Sequence, residues 1–283
     1  MRKNAMRLVF AFVFIFALFA FTALFNAEEE QPLTFGPFEY TVDEDGNATI
    51  TAYTSQEPNV DIPAEIAVDE EHKYPVTVIG EKAFQNSYAQ VVTMPDSVKR
   101  IEAYAFSGSA LNQITLSKNV EFIGNQAFSY TALTSIDIPD SVVTMDTTIF
   151  WHCETLEDVT IGNSVESIGD YCFEACYMLS DIALPDSLKT LGNYAFLACD
   201  GLKTITFGTG LQTIGNNCFE ACASLEEVMF YPNLKSIGSE AFKSCENLYK
   251  ATFDCNAPQI GENAFDGVNE IFKIYYADCA SGW

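Results

Sequence analysis

Nine cysteines, two histidines and a short acidic tract are the residues of this 283-residue sequence best suited to chemistry. Cys172 and Cys176, and again Cys218 and Cys222, stand four places apart like metal-ligand pairs. No matching histidines complete a four-ligand set, so no zinc or other metal site is expected. His152 adjoins Cys153, and a nucleophilic thiol needs a neighbouring base. Nothing at repeat spacing would orient that imidazole, and no phosphate loop, nucleophile elbow or paired-histidine motif occurs elsewhere. Asp43, Asp45 and Asn47 have the alternation of a calcium loop but lack its distal bidentate glutamate, whereas Asp45-Gly46 is a hairpin-turn signal. The chemistry these residues predict is therefore not catalysis: no enzyme, no catalytic residue, no cofactor.

The elements that carry them repeat. Phenylalanine recurs as a ladder at Phe84, Phe106, Phe128, Phe150, Phe173, Phe196, Phe219, Phe242 and Phe265, at spacings of 22 and then 23 residues. Each closes a block such as Ile123-Gly124…Ala127-Phe128 or Leu191-Gly192…Ala195-Phe196. A second block follows, with apolar residues at its first, fourth and sixth places, as in Leu179…Ile182…Leu184. Its last two apolar places alternate with polar ones, the period of a short strand with one buried face. Turn chemistry comes next, for example Pro185-Asp186-Ser187, so the chain must turn there in every repeat. A coil of 22 or 23 residues cannot bury its own apolar side; stacked coils share one interior.

The alternation of L-x-x-I-x-L-P-D-S-L with I-G-x-x-A-F-x-x-C, complete at Leu179 to Leu188 and Leu191 to Cys199, resembles the BspA-like class of leucine-rich repeats found in surface proteins of bacteria and some protists. The resemblance covers about residues 76–276. It implies an α/β-type repeat solenoid: a right-handed leucine-rich repeat coil of about nine repeats, one short strand per coil in a parallel sheet on the concave side, and roles in adhesion or host contact. Glu102 and Asp146 replace the usual glycine and Ile149 the usual alanine, which weakens the fourth repeat locally without disturbing the register.

Three segments follow from this reading. Residues 1–27 carry Arg2, Lys3 and Arg7 ahead of an apolar run from Leu8 to Phe25, then Asn26-Ala27 and three glutamates. That order fits a cleaved secretory signal or an uncleaved anchor long enough to span a bilayer, and both export the remainder to a secreted or cell-surface location. Residues 28–75 form an N-terminal cap built on a β-hairpin, Phe35 to Val42 against Ala48 to Tyr53. Residues 76–283 form the leucine-rich repeat solenoid. A net charge of −25 argues against nucleic acid and for a basic, neutral or cation-bridged partner.

Residues between the buried strand positions should face outward in two columns. Those expected to form a binding face are Gln113, Thr115, Ser135, Asp137, Asp158, Thr160, Asp181, Thr204, Thr206, Glu227 and Lys250, acidic in the middle and lightly basic toward Lys250 and Lys273. The expected function is recognition of an extracellular protein or glycan; a structural surface-layer or spacer role and a glycan-binding solenoid are the alternatives. The aromatic residues after Ile271 also suggest end-to-end self-association through the last coil.

Cys153, Cys176, Cys199, Cys222 and Cys245 each follow a ladder phenylalanine by three residues, where earlier coils have Ser87, Ser109 and Thr131. Stacked neighbours would have parallel Cβ vectors about 4.8 Å apart, but a disulfide needs them about 3.8 Å apart and facing each other. These are read as free thiols packed as small hydrophobes. Cys255 and Cys279 fall after the strands of the last coils and are the pair expected to bridge, if any does. Peptide mapping of the unreduced protein should recover these two joined; nine free thiols would refute the pairing.

Overall fold

The structure, a computed structural model, describes residues 32–254 and 257–277. The predicted export segment 1–27 and both Cys255 and Cys279 lie outside the described residues. A hairpin stands near the start of the repeat-bearing unit. Phe38–Val42 runs antiparallel to Ala48–Tyr53, with Tyr40 opposite Ile50 and Val42 opposite Ala48. Its turn closes on itself: Asp43 Oδ1 accepts the amides of Asp45 at 3.0 Å and Asn47 at 2.8 Å, while Gly46 takes a φ of 79°. These bonds hold the Asp43 carboxyl below its usual range, the Asn47 amide contributing most. Ala48–Tyr53 then pairs in parallel with Lys73–Ile79, and the Tyr53 ring stacks on Phe84 at 5.1 Å. The hairpin thus covers the first ladder ring and supplies a partner to an otherwise open sheet edge.

From there the chain winds in coils, each carrying two strands. One is a face strand of three or four residues, such as Asp181–Ala183; the other has two residues and precedes the glycine, such as Thr190–Leu191. Face strands run in three parallel stretches: Asn59–Asp61 to Gln113–Thr115, then Ser135–Asp137 with Asp158–Thr160, then Asp181–Ala183 to Lys273–Tyr276. The two-residue strands form parallel ladders of their own, the longest from Thr144–Met145 to Gln259–Ile260. One expectation is corrected here: no helix occurs among the described residues, so the architecture is an all-β solenoid and not α/β. The two-residue strand of each coil adds to the one face strand per coil that was expected.

The segment around each ladder phenylalanine, where a helix could have formed, is instead a chain of tight turns. In each of the nine coils the residue two places before the phenylalanine and the residue two places after it have left-handed φ, as at Tyr171 (57°) and Ala175 (59°) around Phe173. Left-handed residues cannot propagate a right-handed helix. Their compensation is intercoil bonding: the amides of Tyr171, Phe173 and Ala175 donate to the carbonyls of Asn193, Ala195 and Leu197 in the next coil at 3.0, 2.8 and 2.9 Å. Along the two-residue strand the direction reverses, Gly192 donating to Ile168 of the preceding coil at 2.8 Å. Each coil is therefore tied to its successor on one side and to its predecessor on the other.

Coils approach closely at the glycines before these turns. A Cβ on Gly192 would lie 2.6 Å from the carbonyl carbon of Gly169, and one on Gly215 would lie 2.5 Å from that of Gly192. In the interior the ladder rings stack at centroid distances of 4.8 Å (Phe84–Phe106) to 5.6 Å (Phe128–Phe150), and the rings from Phe84 to Phe242 are completely buried. The irregular fourth repeat keeps its place, Phe150 lying 5.6 Å from Phe128 and 5.2 Å from Phe173.

The thiol column is equally regular. Cys199 Sγ donates to the carbonyl of Phe173 at 3.1 Å, a carbonyl that also accepts the amide of Cys176 at 3.2 Å. Cys153, Cys222 and Cys245 repeat the thiol bond to the preceding coil's phenylalanine at 3.0, 3.1 and 3.1 Å. Ser109 and Thr131, in the shorter coils, donate instead to their own Phe106 and Phe128. All seven described cysteines are buried and free. Burial drives their pKa values up, to about 11 for Cys153 and about 12 for Cys245.

Truncating a central ring, Phe173→Ala, should destabilise the fold by about 3–5 kcal/mol in urea titration, because rigid neighbours above and below cannot collapse into the space. Since the thiolate is the reactive form, the seven described cysteines should stay unmodified by a thiol-specific disulfide reagent at pH 8 until denaturant is added; prompt native-state reaction would contradict the buried column.

Candidate binding surface

Strand pleating turns alternate side chains out of the core. Gln113, Thr115, Ser135, Asp137, Asp158, Thr160, Asp181, Thr204, Thr206 and Glu227 are all exposed, and Lys250 is half-buried. Register brings them side by side: Ser135 with Asp158, Asp137 with Thr160, Asp181 with Thr204, and Glu227 with both Thr204 and Lys250. The middle of this face holds a shallow depression of about 240 Å³ lined by Asp158, Thr160, Asp181, Ala183, Thr204 and Thr206. Hydroxyls and carboxylates dominate it, so it offers acceptors and a short methyl-bearing floor.

Charge on the face is uneven. Asp181 accepts the Ser180 hydroxyl at 2.7 Å; that bond and one from the Thr204 hydroxyl hold its carboxyl below the usual aspartate range. Glu227 accepts from Lys250 Nζ at 2.7 Å and from the Tyr249 hydroxyl, and the Lys250 bond does most to lower its pKa. Lys250 is thereby neutralised by Glu227, with its ammonium 6.0 Å from the Tyr275 ring centroid. The basic end expected at Lys250 is largely self-compensated, while Met229 and Tyr275 leave that end partly apolar. An exposed pair of this kind adds little to stability, so its main effect is on the surface potential.

His152 and Cys153 point apart in function as well as in space. The thiol is fully buried and donates inward to Phe128. The imidazole stacks on Tyr130 with centroids 5.0 Å apart and rings 9° from parallel, and its Nδ1 lies 3.5 Å from Glu154 Oε1. Trp151 meets Tyr130 edge-on at 5.1 Å, its buried Nε1 without a hydrogen-bond partner among the described residues. Beside these rings lies a second depression, about 340 Å³, that motif reasoning missed. One signal for it was legible: the two coils that meet there differ in length. Among the described residues no group of three or more histidine, cysteine or acidic side chains could hold a metal ion.

Comparisons with known proteins agree with this geometry. The BspA type leucine-rich repeat region matches in six copies, over residues 77–177 and 147–271. None of the curated proteins matches the chain. Among solved structures, the pneumococcal vaccine antigen PcpA aligns over 87% of this chain and 82% of its own, at 20% identity and a TM-score of 0.55. A leucine-rich cell surface protein from Faecalibacterium prausnitzii aligns over 87% of this chain and 95% of its own, at 21% identity and a TM-score of 0.41. The leucine-rich repeat protein of T. pallidum aligns over 84% and 89%, at 22% identity and a TM-score of 0.45. With its phenylalanine ladder, its glycine column and six matched repeats spanning well over half its length, the chain belongs to the BspA type leucine-rich repeat family.

Proposed function

We propose that this chain is an exported recognition protein that binds an extracellular polypeptide through its strand face and performs no catalysis. The observation carrying the reading is the strand register, which presents an open row of side chains such as Asp158, Asp181, Thr204 and Glu227 from successive coils. A rigid surface built this way binds without ordering loops first, which removes part of the entropic penalty of association. A net charge of −25 gives long-range attraction to a basic partner and repels nucleic acid.

In this proposal residues 1–27 deliver the chain to the outside, residues 28–75 cap the first coil, and residues 76–283 present the face. End-to-end pairing through the last coil belongs to the same proposal. PcpA and the Faecalibacterium protein, described as a vaccine antigen and a cell surface protein, support the placement at a surface. A spacer without a ligand is the second reading, favoured by the self-paired Glu227–Lys250 end of the face.

The two separate on one measurement. Extracellular material from the host or community should yield a protein that the full chain captures, and the triple variant Asp137→Asn, Asp158→Asn, Asp181→Asn should hold it about tenfold more weakly, the sum of three modest surface pairs. Equal capture by both forms would remove the strand face as the binding site, and no capture by either would support the spacer.

A further inference from the structure

We propose that the ledge between the third and fourth coils is a second binding site, separate from the strand face, that takes a guanidinium group: an arginine side chain displayed by a polypeptide partner. The ledge comes from a step in coil length. In the third coil the face strand begins seven residues after its ladder ring, from Phe128 to Ser135; in the fourth it begins eight after, from Phe150 to Asp158. The extra residue falls in Glu154-Thr155, opposite the single Ala132. Mismatched turns cannot stack flush, and the depression of about 340 Å³ opens there, lined by Ser109, Tyr130, Thr131, His152, Glu154 and Thr155, with Ala132 at its floor.

One wall is aromatic. Tyr130 is 50% exposed, and His152 of the fourth coil covers one of its ring faces. The other face turns toward the second coil, where the matching place is Gly108, with no side chain to stack. Nothing in the backbone requires an aromatic residue at this place. Tyr130 and His152 have φ of 55° and 56°, and the same position in later coils is filled by Ala175, Ala198 and Ala221 at 59°, 55° and 59°. The turn therefore does not require the half-exposed ring, whose packing partners are His152 on one face and Trp151 edge-on.

The polar lining is made of acceptors. The hydroxyls of Ser109, Thr131 and Thr155 donate to the carbonyls of Phe106, Phe128 and Leu133 at 2.7, 2.8 and 3.0 Å. Ser109 and Thr131 are buried, with Thr131 Oγ1 also 3.3 Å from Cys153 Sγ, so it is the exposed Thr155 whose lone pairs face a ligand. Glu154 adds a carboxylate that is 59% exposed. A π face beside a carboxylate and spent hydroxyls calls for a flat, cationic, donor-rich group. Guanidinium is planar, stacks on aromatic faces and pairs with carboxylates, whereas an ammonium lacks the plane and a pyranose needs donors as well as acceptors from its site. The overall charge of −25 favours the same ligand.

The test titrates the full chain with a tetra-arginine peptide by calorimetry at about 0.15 M salt, where distant surface charges are screened. Tyr130→Ala leaves the net charge unchanged and installs the residue that three other coils already use, so it should fold; the expected result is binding weakened about two- to fivefold. Glu154→Gln should also weaken binding, Asp181→Asn on the strand face should leave it unchanged, and tetra-lysine should bind less tightly than tetra-arginine. Unaltered affinity in Tyr130→Ala, equal binding of tetra-lysine, an equal loss in Asp181→Asn, or displacement of the peptide by methyl glycosides would each overturn the assignment.

Discussion

Everything in this molecule answers to the stacking of nearly identical coils at a spacing that strands and offset aromatic rings share. Phe84 through Phe265 stand 4.8–5.6 Å apart, close to the spacing that parallel strands take on their own. Ring contact and backbone pairing therefore want the same distance, and neither is satisfied at the other's expense. This agreement fixes what can occupy each column. The glycines at positions such as Gly192 and Gly215 have backbone of the preceding coil 2.5–2.6 Å from where a side chain would begin. The cysteines that follow the ladder rings by three residues are set parallel by the same translation, and each of these thiols donates to a carbonyl of the preceding coil. Cys172 and Cys176, four places apart in sequence, are both members of the buried core.

The same translation explains why much of the fold was legible in the residues. Periodic phenylalanine, the Asp45-Gly46 hairpin signal and the alternation in blocks such as Asp181-Ile182-Ala183 each report a structural period directly. The second strand of each coil was not legible, because a pair such as Thr190–Leu191 is too short to display an alternation. The helical half of an α/β label came from the resemblance and not from these residues. Left-handed φ at Tyr171 and Ala175, neither of which is a glycine or asparagine, is imposed by the intercoil amide bonds around Phe173. No local propensity announces it, since tyrosine and alanine rarely adopt that conformation unaided.

The exposed face shows where reading residues singly stops working. That Asp158 and Asp181 would lie exposed beside hydroxyl-bearing neighbours follows from pleating alone. That Lys250 would be consumed by Glu227, with Tyr249 on the same carboxylate, depends on which rotamers meet across coils 23 residues apart. A count of lysines had suggested a basic end; the pairing leaves Met229 and Tyr275 as the more distinctive chemistry there. Surface potential in a repeat protein is thus decided by cross-coil pairs, one step beyond the list of charges.

A solenoid of perfect repeats would present the same surface at every coil, and so could not prefer one place on itself over another. Specificity has to come from departures that the core tolerates. The change from 22 to 23 residues is such a departure, and it leaves the ladder intact: Phe150 stays within stacking distance of both neighbours while the turn beside it lengthens. At the same coil the residue three places after the ladder ring changes from a hydroxyl to a thiol, and its bond changes from its own coil's carbonyl to the preceding one. Thr131 and Cys153 touch across the step at 3.3 Å, so the two bonding schemes are joined in the core directly behind Tyr130 and His152. The interior absorbs the mismatch in a bonding switch, and the exterior carries it as a ledge. Individuality on this protein is therefore concentrated where the period changes.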